Sequence, residues 1–197
     1  MPTRFHENIG YSIEGAQDKS RWTELVCAIA DRVEELGVSE EIVFHGTSLE
    51  KARGILDEGM IPTDAFEIFP DGSEEVSEGS FWGTIKTAAW YAEDTSFHRS
   101  GGRPVIIACP VSFLQTYTTL CADIPSRDFP VPGLTKLDDP DIASEWTTGT
   151  FRSWQDSLRE LGSFTAIHDY DLPLDMAILA DTIESFDRIL LSNTFSA

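Results

Sequence analysis

The stretch EIVFHGTSLEKARGILDEGMIP, residues 41–62, joins a short apolar run to an amphipathic one through His45-Gly46-Thr47. Its first four residues, Glu41–Phe44, predict a short strand that ends at His45. Ser48 is a favourable N-cap residue. The apolar positions that follow it are spaced by three and four residues and predict a helix, with one face formed by Leu49, Ala52, Ile55 and Leu56.

The rest of the chain gives weaker and more mixed signals. Apolar patterns predict helices over 20–36, 84–92 and 150–161, and strands over 80–83, 104–112, 164–167, 176–179 and 186–191. The acidic stretch 64–79 shows no period and predicts an exposed loop. Residues 1–19 predict an N-terminal arm, and 113–149 an irregular insertion. The predicted helices lie mostly early in the chain and the predicted strands mostly late. This order indicates one α+β domain over 20–197, with a split, mainly antiparallel β-sheet flanked by helices.

Composition limits the classes of partner. The chain has 14 Lys and Arg against 34 Asp and Glu, a net charge of −20. A surface of this sign repels phosphate backbones, so nucleic-acid binding is disfavoured. The apolar runs are too short for a membrane span. Three scattered cysteines, with no Cys/His cluster, predict neither a disulfide framework nor a metal site. We expect a cytoplasmic protein, of the producing cell or of a host cell.

Three local patterns have residue types that suit chemistry. In His45-Gly46-Thr47, glycine lets the backbone come close to a ligand, and a neutral imidazole can hydrogen-bond a sugar hydroxyl. In Gly79-Ser80-Phe81-Trp82, adjacent aromatics on a strand point to opposite faces, so one packs while the other offers a flat surface. Asp175 opens the apolar run Met176–Leu179. Taken alone, each pattern is more often structural than functional.

In this order the three patterns resemble the ADP-ribosyltransferase superfamily. The branch concerned has a triad of histidine, an aromatic residue and an acidic residue, as in poly-ADP-ribose polymerases and diphtheria-like toxins. The similar segments, in chain order, are 44–48, 58–62, 79–81, 87–92, 105–111 and 175–191. Phe81 stands where tyrosine is commoner in the family, and Asp175 stands where most active members have glutamate.

The resemblance implies a role for each matched residue. His45 would bond the adenosine-side ribose, and the Gly46 and Thr47 backbone would hold the nicotinamide amide. Phe81 would stack on the nicotinamide ring, and Asp175 would bond the 2′-hydroxyl of the nicotinamide ribose. The resemblance also implies that the NAD-binding surface includes Ser80, Trp82 and Tyr91. The alternative carboxylates for the acidic role are Glu184, Asp171, Asp169 and Glu145.

The implied reaction moves ADP-ribose from NAD to an acceptor and releases nicotinamide. Nicotinamide leaves through an oxocarbenium-like state, as in glycoside hydrolysis, and a fixed carboxylate stabilises that charge. The chemistry needs no metal. A protein side chain is the expected acceptor, on a partner with a basic surface, because the charge of −20 disfavours nucleic acid. An effector or a toxin would have the same pattern.

Two other functions stay open. The chain could be an ADP-ribosyltransferase-like protein that binds without catalysis, for which Phe81 and Asp175 are the reasons. It could also be an acidic interaction or inhibitor protein that imitates nucleic acid, which the net charge and the acidic stretch 64–78 favour.

Overall fold

Six helices and seven strands form the part of the chain that this computed structural model describes. That part is the backbone of residues 16–68, 74–96, 102–122 and 153–192, and the side chains of 20–62, 78–96, 102–122 and 153–191. The helices are α1 Ala16–Leu36, α2 Leu49–Glu58, α3 Ile85–Asp94, α4 Val111–Tyr117, α5 Trp154–Glu160 and α6 Ile183–Ser192. The strands are β1 Ile42–Ser48, β2 Thr63–Ile68, β3 Glu74–Gly83, β4 Pro104–Pro110, β5 Thr119–Ala122, β6 Ser163–Ile167 and β7 Ile178–Leu179.

The strands form one sheet with the order β5-β6-β3-β1-β4-β7, and β2 pairs with the first half of β3. Every pairing is antiparallel within the described residues. Helices cover both faces of the sheet. The expected α+β class, with a mainly antiparallel sheet flanked by helices, is confirmed.

Alternation along the strands divides the apolar residues into two cores. On the first face, Phe44 and Ile106 pack with buried residues of α1, α3 and α6. On the second face, Val43, Trp82 and Ile107 pack with buried residues of α2, α4 and α5. Because successive strand residues point to opposite faces, the same alternation determines the face of the sheet on which each polar strand residue lies.

The sheet splits between β1 and β3. The two strands pair only at Phe44↔Gly83. The same edge of β3 pairs with β2 from Glu74 to Gly79. Between these two pairings, Ser80, Phe81 and Trp82 have no strand partner on that edge within the described part of the chain. We call this opening, bounded by β1 and by β3 at Ser80–Trp82, the fork.

Three predicted elements were wrong. The expected loop 64–79 is the hairpin β2–β3, with Phe66 opposite Val76. The expected strand 186–191 belongs to α6, where Phe186 and Ile189 are fully buried at helical spacing. The insertion expected from 113 begins with ordered structure, α4 and β5, while 123–150 lies outside the described residues.

Several element boundaries also moved. The last predicted strand before α6 is only Ile178–Leu179, because 175 and 176 form a turn. The strand expected over 104–112 ends at Pro110.

Helices and strands alternate along the chain, whereas helices were expected early and strands late. The expected arm 1–19 ends in α1 from Ala16, and 1–15 lie outside the described residues. No described helix has the length and apolar content that crossing a membrane requires.

Candidate functional site

His45 lies in the middle of β1, whereas the sequence placed it at the strand end. Its Nδ1 atom is 2.9 Å from the Phe81 carbonyl oxygen, across the fork. A carbonyl only accepts hydrogen bonds, so Nδ1 carries the proton and donates it. In the neutral ring Nε2 is then an acceptor. Within the described residues Nε2 has no hydrogen-bond partner.

The electrostatic surroundings keep this ring neutral. Burial among protein atoms is the largest influence and lowers the pKa of His45 below its ordinary value of 6.5. The Phe81 carbonyl partly opposes that lowering, and the positive charge of Lys51 adds to it. The residue still keeps a partly exposed surface. His45 therefore presents a neutral acceptor nitrogen at neutral pH.

The peptide group of Gly46 faces the fork. Two hydrogen bonds bracket the β1–β4 ladder, Val111 N–H to the Glu41 carbonyl and Leu49 N–H to the Arg103 carbonyl. Peptide groups alternate between neighbours along an antiparallel strand. The odd-numbered residues of β1 therefore turn theirs toward β4, and Gly46 turns its own toward β3.

Packing against α3 explains why position 46 is glycine. A Cβ atom there would lie 1.7 Å from the Ala88 carbonyl oxygen. The sequence attributed this glycine to close approach of a ligand, whereas on the first face it allows close approach of a helix. The neighbouring Thr47 is buried.

The two aromatics of β3 point to opposite faces of the sheet, as expected. Trp82 is 1% exposed and belongs to the second core. Phe81 points to the opposite face and is partly exposed. In the described part of the chain no other aromatic ring contacts Phe81.

Tyr91 lies on the side of α3 that is nearer to β6. Thr84 and Thr87, at the start of α3, lie against Gly162, which directly precedes β6. Residues four apart share one side of a helix, so Tyr91 projects on the same side as Thr87. Its side chain is partly buried. Tyr91 and Phe81 are therefore on the same face of the sheet.

Ser80 belongs to a buried hydrogen-bonded chain that the sequence did not predict. The Trp82 indole N–H donates to Ser80 Oγ at 2.9 Å. Ser80 Oγ is 3.0 Å from Nε2 of His168, whose Nδ1 is 2.7 Å from the Tyr170 carbonyl oxygen. The rings of Trp82 and His45 also meet, with centroids 5.6 Å apart. The only sequence signal for His168 is its place directly after the apolar strand 164–167.

Asp175 belongs to neither of the two strands that form the fork. It is exposed, in the turn before β7 at the outer edge of the sheet. Leu179 pairs with Ile107, which pairs with His45, so two strand spacings of about 10 Å in total separate β7 from His45. Asp175 itself precedes β7 in a turn that Ala177 N–H closes on the Leu174 carbonyl.

The alternative carboxylates that the structure describes are all exposed. Glu184 is exposed in the first turn of α6, and Asp169 and Asp171 are exposed after β6. Glu145 lies outside the described residues. At the level of His45 and Phe81, the neighbouring strands carry Ile107, Leu179, Thr165 and Cys121, none of them acidic.

No cluster of three or more metal-ligating side chains occurs in the described part of the chain. Comparisons of the chain with protein-family models, with curated proteins and with solved structures find no match.

Proposed function

We propose that the fork binds NAD and that the protein transfers the ADP-ribose of NAD to a protein side chain. One observation carries the proposal: the Phe81 carbonyl fixes His45 as the tautomer whose Nε2 accepts a hydrogen bond, and that nitrogen has no described partner. A ribose hydroxyl is a donor that suits it. The resemblance to ADP-ribosyltransferases adds the identity of the dinucleotide.

The other residues around the fork suit the nicotinamide end, which would lie on the first face of the sheet, whereas the His45 ring lies on the second face with Trp82. The Gly46 peptide group offers a donor and an acceptor, which complement the acceptor and donor of a carboxamide. Phe81 offers a partly exposed ring face to the planar pyridinium, with Tyr91 on the same face of the sheet. Stacking of a cationic ring on an aromatic face is favourable.

In the transfer step the bond between C1′ of the ribose and the nicotinamide nitrogen breaks, and nicotinamide leaves with the electron pair. The acceptor side chain attacks C1′ and loses a proton. A carboxylate near C1′ would stabilise the positive charge of the transition state. Asp169 and Asp171 are our first candidates, since they follow β6, which pairs with Phe81. Asp175 is a weaker candidate because β7, the strand that it precedes, is separated from β1 by β4.

Labelling with biotinylated NAD in a cell lysate tests the transfer. Wild type should label protein, and Phe81→Ala should lose labelling while Phe81→Tyr, which keeps the ring face, retains it. A carboxylate series, Asp169→Asn, Asp171→Asn, Asp175→Asn, Glu184→Gln and Glu145→Gln, identifies the acid. Asp57→Asn, an exposed change on α2, is the control. Labelling by Phe81→Ala equal to that of wild type would contradict the proposed site.

A second candidate function is NAD binding without catalysis. The observation that favours it is the lack of an acidic residue at the level of His45 and Phe81 on the described strands. This candidate predicts that NAD binds and that binding weakens in His45→Ala, while wild type neither labels protein nor releases nicotinamide.

A further inference from the structure

The hydrogen-bonded chain from Trp82 through Ser80 and His168 to Tyr170 can be made in only one way when His168 is neutral, because each donor and each acceptor is then fixed. The Tyr170 carbonyl can only accept, so Nδ1 of His168 carries the proton and Nε2 accepts. Ser80 must therefore donate its hydroxyl proton to Nε2. Its oxygen accepts from the Trp82 indole, which can only donate. Every group in this hydrogen-bonded chain is therefore a defined donor or acceptor.

Burial makes these hydrogen bonds matter. Trp82, Ser80 and His168 are 1%, 3% and 3% exposed, so these hydrogen bonds are shielded from bulk solvent. A buried polar group without a partner is costly, so the arrangement with all bonds made is strongly preferred. The indole of Trp82 is thereby held in one orientation.

The Trp82 indole also contacts the His45 ring. The ring planes make an angle of 53°, with centroids 5.6 Å apart. His45 is thus held at two places, by the Phe81 carbonyl through Nδ1 and by the fixed indole through ring contact. Both contacts are made by residues of β3, the strand on the other side of the fork.

We propose that Ser80 and His168 are positioning residues, which fix Trp82 against His45 and so hold the acceptor nitrogen of His45 in the fork. His168 itself directly follows β6, where its backbone N–H donates to the Glu78 carbonyl, and it does not touch His45. The consequence for NAD binding rests on the proposed function, whereas the effect on the His45 ring does not.

The test compares four variants of the full chain by NMR of the His45 imidazole. His168→Ala removes the acceptor for Ser80, and Ser80→Ala removes the link to Trp82. His168→Gln supplies an amide N–H for Tyr170 and an amide oxygen for Ser80, so it should restore the hydrogen bonds from Ser80 to Tyr170. Thr165→Val is the matched control, since it removes from β6 a buried hydroxyl that has no partner among the described residues.

We expect the His45 ring resonances to move in His168→Ala and in Ser80→Ala, to return toward wild type in His168→Gln, and to stay in place in Thr165→Val. The double variant of Ser80 and His168 should move them no further than either single one. Unchanged His45 resonances in folded His168→Ala would overturn the proposal. Should that variant not fold, Ser80→Ala, which breaks the same hydrogen-bonded chain and leaves the Trp82 ring in place, provides the comparison.

Titration with NAD then separates the two proposals. Roughly tenfold weaker binding in His168→Ala, recovered in His168→Gln, is the expected result, as for one lost buried hydrogen bond. The NMR pattern without NAD binding in wild type would reject the proposed function and leave the positioning role standing. NAD binding in wild type with an unmoved His45 ring would reject the positioning role alone.

Discussion

At the scale of single residues, one carbonyl oxygen determines what His45 can do. Phe81 selects the tautomer, and burial lowers the pKa, so the ring is a neutral acceptor. Neither influence is visible in the sequence, which shows only a histidine beside a glycine. The sequence did identify both His45 and Phe81 as candidate site residues.

The lowered pKa of His45 gives a prediction about pH. Protonation would turn Nε2 from an acceptor into a donor and would place a charge in a buried position. We expect NAD affinity to be constant at pH 7 to 8 and to fall as the pH decreases below the ordinary 6.5, through the lower pKa of the folded state. The free energy of unfolding should fall in the same direction, because the unfolded state binds more protons there. Calorimetric titrations over this range measure the effect.

The comparison for this prediction is His45→Gln, which has no titrating group. Its NAD affinity should be lower than that of wild type at pH 7.5 and nearly independent of pH. An equal loss of affinity on acidification in both proteins would assign the pH dependence to another group.

Thr165 gives a prediction about stability. Its hydroxyl is buried and has no hydrogen-bond partner within the described part of the chain, so it contributes a desolvation cost without a compensating bond. Thr165→Val keeps the shape and removes that cost. We expect the free energy of unfolding to rise by about 1 kcal/mol, measured by urea denaturation. A decrease would mean that the hydroxyl has a partner, such as a buried water molecule.

At the scale of elements, the contact of β1 with α3 is the tightest constraint around the site. Gly46→Ala would place a methyl group 1.7 Å from the Ala88 carbonyl oxygen. We expect a loss of about 3 kcal/mol or a failure to fold, because backbone on both sides has to move. Thermal unfolding followed by circular dichroism measures it.

Gly54→Ala is the matched control for that change. Gly54 is inside α2, and a Cβ atom added there would have nothing within 4 Å. Alanine is favoured over glycine in helix interiors by about 1 kcal/mol, so this variant should be more stable than wild type. Equal effects of the two substitutions would show that Gly46 is not set by the α3 contact.

The elements that the sequence predicted correctly are those with strong local signals. Ser48 caps α2 as predicted, and Thr84 caps α3. The hairpin β2–β3 was missed because its strands are acidic, although Pro70-Asp71-Gly72 is a turn sequence. Helix α6 was missed because FDRILL is too short to show its period. Its N-terminal signal, Thr182 accepting from the Ser185 N–H, lies four residues earlier.

The same limit applies to the site. His45 and Phe81 were predicted together because both lie in segments that resemble motifs of the ADP-ribosyltransferase superfamily. The Ser80–His168 pair joins residues 88 positions apart, and no local pattern connects them. The position of Asp175 depends on strand order, which the sequence does not show: β4 lies between β1 and β7, the strand that Asp175 precedes.

At the scale of the whole molecule, the net charge of −20 should make stability depend on salt. Ion pairs such as Arg32–Asp187 and Arg159–Glu40 are partly or largely exposed and contribute little. Repulsion among the excess carboxylates opposes folding and is screened by ions. We expect the Tm to rise when NaCl is raised from about 50 mM to about 500 mM, where the Debye length is several ångströms shorter. An unchanged or lower Tm would show that the negative charges are already compensated.

The most direct test of the central claim is a calorimetric titration of NAD into wild type and His45→Ala at pH 7.5. Our account predicts that NAD binds wild type at one site per chain and that His45→Ala, while still folded, binds at least about tenfold more weakly, as expected for one lost hydrogen bond in a buried position. Failure of NAD to bind folded wild type, or equal binding by both proteins, would contradict the assignment of the fork as an NAD site.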